Sequence, residues 1–328
     1  MIIRTHCLAD IPLSDLLKKA KTKGLNYPIG PFNLCLKTDI PTFLETFVKM
    51  YASLPLINDP CISDFHIQIK QKKGLRRLWH PQSIFTVDSV TPFEPYPYNM
   101  SYPLAEWGLN WCIAMSAHQN IMLHSAALEY KGIAIIFPAM PGSGKSTLCS
   151  ALMLRGWRLL SDEFGIIEPK SGKVIPIPRA IPLKNNSISI INDFSEKSIL
   201  GPTFKGTKKG DVAHLAPTSE SFTRQNEWVT PALVIFPKYE TSIHCNLSKQ
   251  EKSLAFVGVT KNSFNYHLTQ SRGYKTLSTL IKKCETYDLQ YSHLNDAIKA
   301  LNQLVDDVVG NQKLNKESLN KENNEVIT

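Results

Sequence analysis

The sequence lacks the features that mark membrane-spanning and secreted proteins. It contains no run of about 18 consecutive apolar residues, the length that a membrane-spanning helix needs. Its first residues, with Asp10, Asp15 and a lysine cluster at 18–23, do not follow the basic-then-apolar order of a secretory signal. We therefore expect a cytoplasmic protein without a membrane partner.

Cysteine is scarce and scattered. The seven cysteines are odd in number, and no two form the C-x-x-C pair that would suggest zinc binding or redox chemistry. We interpret them as reduced, mostly buried thiols: Cys7, Cys35, Cys61, Cys112, Cys149, Cys245 and Cys284.

Acidic residues are outnumbered, with 28 Asp and Glu against 37 Lys and Arg, which gives a formal charge of +9. Such an excess suits a polyanionic partner. The basic residues cluster at 70–77, interpreted as a solvated face, and at 205–209. Because no zinc finger or aromatic RNA-binding signature accompanies them, nucleic acid is not the expected partner.

The 328 residues, 43% of them apolar, are enough for a proper hydrophobic core. Within residues 1–100, a helical pattern at 42–54 and alternating patterns at 65–69 and 84–90 predict a small α+β domain. The proline-rich stretch 91–98 cannot continue a strand ladder, so it predicts a linker and a domain boundary near residue 100.

The pattern of residues 101–310 predicts an α/β domain. Residues 311–328 are rich in polar residues, which predicts a disordered tail. An irregular basic region is expected to extend to about residue 225. The predicted elements are a helix at 102–117, strands at 121–129, 133–137, 157–160, 164–167, 174–177, 232–236 and 242–247, a helix at 147–155, and helices near the C-terminus.

Residues 139–147, Ala-Met-Pro-Gly-Ser-Gly-Lys-Ser-Thr, match a phosphate-binding loop between a strand and a helix. Gly142 and Gly144 suit it because backbone N–H groups must converge on a phosphate in conformations that side chains forbid. Lys145 is expected to reach the β and γ oxygens, and Ser146 to ligate Mg²⁺. The expected ATP-binding residues are Pro141, Gly142, Ser143, Gly144, Lys145, Ser146 and Thr147.

One position departs from the usual pattern, because Ala139 stands where the first glycine of the loop is expected. After the helix that follows the loop, Asp162 ends the next predicted strand, and Glu163 follows it. One carboxylate of this pair can accept the proton of an attacking hydroxyl while the other holds magnesium or water. His124, in an apolar strand, is by itself more typical of a hydrogen-bonded core residue.

With these residues assembled, segment 124–167 resembles the HPr kinase/phosphorylase superfamily, and more closely the HPr-related kinase A family. The blocks that carry the resemblance, which extends over about residues 100–305, are 124–132, 141–148, 155–163, 178–185, 208–215 and 287–292. Ala139 and Thr147 look like the kinase A family. The resemblance implies a P-loop kinase domain of the HPr kinase and PEP carboxykinase type, with a mixed sheet.

The resemblance also implies roles for individual residues. Lys145 and Ser146 would bind ATP and magnesium, Asp162 would transfer the proton, and Glu163 would be its acidic partner. His124 becomes a hydrogen-bonding neighbour of the carboxylate. A further basic set would neutralise the γ-phosphate or bind the acceptor, unless it is only a solvated loop: Arg179, Lys184, Lys209 and His214.

The leading hypothesis is an ATP- and Mg²⁺-dependent kinase that phosphorylates a hydroxyl, such as that of serine, on a protein or peptide. The regions by which HPr kinases dock HPr and form hexamers have no match here, so the acceptor stays open, as does a homo-oligomer. Two other functions also stay open. One is a non-catalytic nucleotide-binding module that positions a partner, and the other is a nucleic-acid-dependent ATPase that uses the +9 charge.

Overall fold

The computed structural model describes residues 6–57 and 61–325. Its N-terminal part is a five-stranded sheet in the order β1-β2-β3-β4-β5, in which only β2 and β3 run parallel: β1 (Leu25–Ile29), β2 (Phe32–Thr38), β3 (Phe65–Gln71), β4 (Gln82–Val87) and β5 (Tyr96–Pro97). The helices beside this sheet are α1 (Leu13–Lys21), α2 (Pro41–Met50) and α3 (Ser101–Ser116), and short 3-10 helices span Leu8–Asp10, Leu75–Leu78 and Tyr98–Met100.

Two further sheets follow. Their strands are β6 (Ile121–Tyr130), β7 (Ile133–Pro138), β8 (Arg158–Ser161), β9 (Phe164–Ile167), β10 (Val174–Ile175), β11 (Ile181–Lys184), β12 (Phe204–Thr207), β13 (Gly210–Leu215), β14 (Pro231–Tyr239), β15 (Cys245–Lys249) and β16 (Glu285–Tyr291). The remaining helices are α4 (Lys145–Leu154), α5 (Asn186–Phe194), α6 (Ser219–Thr223), α7 (Lys252–Lys261), α8 (Tyr266–Lys283), which is kinked at Gln270, and α9 (Leu294–Glu325).

The larger sheet has the order β10-β9-β6-β7-β14-β16-β15, and β8 pairs with β6 beside this path. Strands β7, β14 and β16 run parallel, and the other pairs are antiparallel. Helices α4 and α9 bury their apolar side chains against one face of this sheet, and α7 and α8 against the other. The chain is therefore a mixed α/β protein, as the sequence predicts, and the larger sheet is mixed.

The predicted domain boundary falls between β5, which ends at Pro97, and α3, which begins at Ser101. The stretch 91–98 was expected not to continue a strand ladder, but its residues Tyr96 and Pro97 form β5 and pair with β4 at the edge of the sheet.

One hydrophobic cluster crosses the predicted boundary, since Leu36 and Ile67 of the first sheet share a core with Ile166 of β9. The two regions are thus packed against one another. Their status as separate domains stays a prediction.

Most of the predicted elements around the glycine loop are confirmed. The helix predicted at 102–117 is α3, the strands predicted at 121–129 and 133–137 are β6 and β7, and the strand predicted at 164–167 is β9. All seven cysteines are free, and four of them are buried. None of the helices in the described residues is long and apolar enough to cross a membrane.

One prediction about irregular structure is wrong. The region up to residue 225 contains β11, α5, β12, β13 and α6, because its short strands form the third sheet, β11-β13-β12, by pairing with one another rather than by local propensity. Helix α9, whose Ala297 and Leu301 are buried, continues to Glu325 and so extends into the predicted tail 311–328. The disorder of this tail stays a prediction. Residues 326–328 lie outside the described residues.

Candidate active site

The glycine loop connects β7 to α4 in the conformation that its sequence predicts. Gly142 and Gly144 have φ values of +87° and +85°, which are favourable for glycine and strained for other residues. Tyr239 N donates to Ser143 O at 2.9 Å, and the Tyr291 hydroxyl donates to Gly144 O at 3.2 Å. Strands β14 and β16 thus hold the loop at the end of the mixed sheet.

Lys145 and Ser146 begin α4, and both contact Asp162. The Ser146 hydroxyl donates to Asp162 Oδ2 at 2.8 Å. The Lys145 ammonium donates to the backbone oxygen of Asp162 and lies 3.8 Å from its Oδ1. The structure therefore brings together the lysine and hydroxyl of the loop and the acidic residue that follows the next strand.

Asp162 and Glu163 form the short connection between β8 and β9, where Phe164 N donates to Ser161 Oγ at 3.1 Å. The Asp162 side chain is buried, with 3% of its surface exposed. Its Oδ1 has no hydrogen-bond partner within the residues that the structure describes. Burial raises the pKa of the Asp162 carboxyl above its usual value, and the charge of Lys145 opposes that shift. In this carboxylate Oδ2 is hydrogen-bonded by Ser146, whereas Oδ1 is buried at an ion-pair distance from Lys145.

His124, in β6, lies beside this acidic connection. Its Nε2 is 3.8 Å from Glu163 Oε2, which is an ion-pair distance but too long for a direct hydrogen bond. Burial, followed by the charge of Lys145, lowers the pKa of His124 below its usual value. The structure thus places His124 beside Glu163 rather than in hydrogen-bond contact with a carboxylate.

The basic residues that the resemblance singled out converge on one cavity, which we call the Asp162 cavity. It is lined by Glu106, Trp107, Asn110, Ser161, Asp162, Glu163, Phe164, Ile177, Arg179, Ala180, Pro182, Lys184, Lys209, Val212 and His214. Lys184 and Lys209 are exposed, whereas His214 is buried. All four basic candidates therefore share a cavity with Asp162 and Glu163.

Arg179 is already engaged by protein groups. Its Nη2 lies 2.6 Å from Glu106 Oε2 and donates to the Glu106 backbone oxygen at 2.8 Å, while its Nη1 donates to Asn110. Glu106 also accepts from the Tyr51 hydroxyl at 2.8 Å. Burial alone would raise the pKa of Glu106, but Arg179 and His214 hold it below its usual value. Arg179 thus shapes the wall of the cavity, with its Nε left unbonded among the described residues.

His214, in β13, closes the back of the Asp162 cavity. Burial lowers the pKa of His214 to about 4, and nearby Glu106 opposes that shift. Its Nδ1 has no hydrogen-bond partner in the described part of the chain. The charged and polar side chains that line this cavity, among them Asp162, Lys184 and Lys209, make it suited to a polar ligand.

A second cleft is lined in part by the glycine loop itself, and we call it the glycine-side cleft. It is lined by Gly142, Gly144, Thr147, Asn186, Ser187, Ile190, Phe194, Tyr239, Tyr291, Ser292, His293, Leu294 and Asn295. Its aromatic and aliphatic side chains differ in character from the charged lining of the Asp162 cavity. Unlike the Asp162 cavity, this cleft has no Lys, Arg, Asp or Glu among its described lining residues.

The side-chain oxygens of Ser146 and Asp162 are suited to bind Mg²⁺. Adjacent oxygens around this ion are about 3 Å apart when each lies about 2.1 Å from it. Ser146 Oγ and Asp162 Oδ2 are 2.8 Å apart, and both are hard oxygen ligands of the kind that the ion prefers. Glu163 is the neighbouring carboxylate. The residues present therefore fit the ion that the sequence predicts.

Sequence reasoning missed several residues of these two spaces. Glu106 is the only charged residue in α3, and a lone carboxylate in such an apolar helix was a usable signal. Trp107 and Asn110 follow on the same helix. Tyr291 lies in the 287–292 block of the resemblance, but neither it nor Tyr239 was assigned to the site, because both reach the loop only through the parallel pairing of β14 and β16.

Comparison with known proteins gives little support beyond this geometry. No protein-family model matches the chain, and no curated protein matches it. Among solved structures, the Hpr(Ser) kinase/phosphatase from Coxiella burnetii aligns over 61% of this chain and 95% of its own, with 12% sequence identity and a TM-score of 0.22. An alignment at this score does not establish a shared fold.

Proposed function

We propose that the chain is an ATP-dependent kinase that transfers the γ-phosphoryl group to a hydroxyl, such as that of serine, on a protein or peptide. The observation that carries the proposal is the convergence of Lys145, Ser146 and Asp162 between the glycine loop and a cavity lined by charged side chains of both signs. Phosphoryl transfer depends mainly on such positioned charges rather than on covalent chemistry.

The triphosphate of ATP would lie along the loop, where Gly142 and Gly144 leave backbone N–H groups accessible and the N-terminus of α4 favours an anion. The nucleoside would occupy the glycine-side cleft, whose apolar lining suits a base. Ser146 and Asp162, with Glu163 beside them, would hold Mg²⁺, which supplies charge neutralisation between the phosphates when bound.

The acceptor would enter the Asp162 cavity. Its hydroxyl oxygen bonds to the γ-phosphorus as the bond from that phosphorus to the β,γ-bridging oxygen breaks and ADP leaves. The hydroxyl proton passes to the carboxylate of Asp162. Lys145 stabilises the charge on the transferring group, and exposed Lys184 and Lys209 attract anionic groups to the cavity.

The direct test is labelling with ATP that carries a radioactive γ-phosphate. The purified protein, ATP and Mg²⁺ are incubated with fractionated extract of the source cells, and labelled products are identified by mass spectrometry. We expect a phosphorylated protein or peptide, with no labelling when EDTA removes the metal. If the protein binds ATP but no fraction yields a labelled product, the kinase proposal fails.

A non-catalytic nucleotide-binding module is the second candidate, and one observation favours it. Lys145 and Ser146 both contact Asp162, so the carboxylate is partly engaged in this structure. Such a module would bind ATP tightly without turnover. Replacing Asp162 with Asn would then leave its function unchanged, whereas that change inactivates a kinase.

A further inference from the structure

The basic cluster at 70–77 has no role in the proposed kinase site, and its surroundings are unusual. It occupies the tip of the hairpin formed by β3 and β4, which is closed by a hydrogen bond from Lys72 N to Gln82 O at 2.8 Å. A short 3-10 helix, Leu75–Leu78, forms the end of the tip. We call residues 70–82 the hairpin tip.

The hairpin tip exposes large apolar side chains. Leu75 is 82% exposed, Leu78 is 69% exposed and Trp79 is 73% exposed. A solvated basic face does not explain these three side chains, because exposing large apolar groups to water is unfavourable. Their clustering on one protrusion therefore points to a partner.

The charge of the hairpin tip is entirely of one sign. Residues 70–82 contain five Lys and Arg residues and no Asp or Glu. Lys70, Lys72, Lys73 and Arg77 are exposed beside the apolar side chains. The partner must therefore be anionic and must also accept apolar groups.

We propose that the hairpin tip docks on an anionic lipid surface, with Leu75, Leu78 and Trp79 inserted at the headgroup level and the basic residues contacting lipid phosphates. Trp favours this interface because it is amphipathic, and basic residues gain from the negative surface potential. Such docking is peripheral and needs no spanning helix. It would revise the expectation, drawn from the sequence, of no membrane partner.

Two other anionic partners fit the hairpin tip less well. A nucleic acid would pair with the lysines and could stack on Trp79, but it offers no apolar phase for Leu75 and Leu78. An acidic peptide usually binds in a groove or along a strand edge, whereas the three apolar side chains are each more than two-thirds exposed on a convex tip. A lipid interface accepts a protruding apolar tip without a preformed complementary shape.

The test is co-sedimentation of the full chain with large vesicles, without ATP. One vesicle population is phosphatidylcholine alone, and the other contains phosphatidylglycerol as well. We expect binding only to the anionic vesicles, weakened by salt. Replacing Lys72 and Lys73 together with Gln should lower the partition coefficient by about tenfold or more, since each basic residue contributes about a factor of five.

The apolar contribution is tested separately with Leu75→Ser combined with Trp79→Ser, which should also lower binding by about tenfold or more, given the hydrophobic transfer free energy of the two side chains. Matched controls are Leu254→Ser combined with Leu268→Ser, and Lys282→Gln combined with Lys283→Gln, all of them exposed residues on α7 and α8. Both controls should bind as the unmodified chain does. The Trp79→Phe variant should keep binding but lose the blue shift of tryptophan fluorescence on insertion.

Three results would overturn the proposal. The first is no binding to anionic vesicles, and the second is equal binding by the tip variants and their controls. The third is binding to duplex DNA, RNA or a polyglutamate peptide that exceeds vesicle binding and depends on Lys72 and Lys73 but not on Leu75 and Trp79. None of these results bears on the kinase proposal, because the assay contains no nucleotide.

Discussion

Gly142 and Gly144 share a positive φ but differ in their surroundings. A Cβ added to Gly142 would meet no atom within 4 Å. A Cβ added to Gly144 would lie 2.7 Å from the Tyr291 hydroxyl oxygen and 3.1 Å from Tyr239 Cβ. Tyr291 is 1% exposed and is therefore not free to move away. Gly142 is therefore required only by the backbone conformation, whereas Gly144 is required by the conformation and by the lack of room for a Cβ atom.

We predict different costs for the two alanine substitutions. Gly142→Ala should lower the free energy of unfolding by about 1–2 kcal/mol, the cost of a left-handed backbone at a residue with a side chain. Gly144→Ala should add the cost of overpacking, about 1–3 kcal/mol more. Urea denaturation of both variants measures the difference. Equal losses would show that Tyr239 and Tyr291 do not confine the loop.

His214 makes the stability of the protein sensitive to acid. Its pKa is about 4 in the folded protein, below the ordinary value of 6.5, so the unfolded chain takes up a proton on this side chain first. The stabilisation is fully present above pH 6.5 and is lost as the pH falls towards 4. Each unit of pKa difference corresponds to about 1.4 kcal/mol.

We therefore predict that His214→Gln flattens the dependence of unfolding free energy on pH between 6.5 and 4. Urea denaturation at several pH values measures the slope, and His267→Gln, at an exposed position on α8, is the control. A slope that is the same in His214→Gln and in the unmodified chain would contradict the burial of a neutral His214.

At the scale of single residues, the sequence predicted the features that depend on residues close together in the chain. The glycine conformations and the contact of the loop with Asp162 follow from a short motif and the strand after it. The pairing of Arg179 with Glu106 did not follow, because the two residues are 73 positions apart and meet only through tertiary packing. Arg179 was therefore expected to be available for a phosphate, whereas its guanidinium is held by Glu106 and Asn110.

Among the elements, the contacts of Glu106 connect three parts of the fold. From α3 it contacts Arg179, just before β11, and the hydroxyl of Tyr51, which follows α2. The Glu106 and Arg179 side chains are 5% and 10% exposed. An ion pair buried to this degree is costly to break, because the remaining charge stays out of water.

We predict that Glu106→Gln destabilises the protein by about 3–5 kcal/mol, the usual cost of removing one partner of a buried pair. Chemical denaturation measures this loss. Glu45→Gln, on the exposed surface of α2, makes the same chemical change without a buried partner and should be nearly neutral. A loss in Glu106→Gln no larger than that in the control would mean that the pair does not tie the elements together.

The elements themselves were predicted where the local pattern is strong. Strands β6 and β7 are long and apolar, and both were expected. Strand β16, Glu-Thr-Tyr-Asp-Leu-Gln-Tyr, was missed because its polar residues give no strand signal, although it pairs in parallel with β14 over its full length. The position of β16 in the sheet is determined by its pairing with β14, and the residue pattern within β16 alone does not predict that pairing.

At the scale of the whole molecule, the mixed sheet places the glycine loop beside two unlike spaces. The Asp162 cavity is lined by cationic and acidic side chains, whereas the glycine-side cleft is lined by aromatic, aliphatic and uncharged polar ones. The +9 charge is consistent with anionic ligands but does not select among them.

The central claim is that Lys145 binds nucleotide while Asp162 acts in transfer, and one comparison tests it most directly. ATP affinity and the rate of phosphoryl transfer are measured for the unmodified chain, Lys145→Ala and Asp162→Asn, with the acceptor found by labelling. We predict that Lys145→Ala loses ATP affinity. Asp162→Asn should keep that affinity and lose at least about 10²-fold in transfer rate, the scale of general-base loss. Equal losses of ATP binding in both variants, or an unchanged transfer rate in Asp162→Asn, would contradict this account.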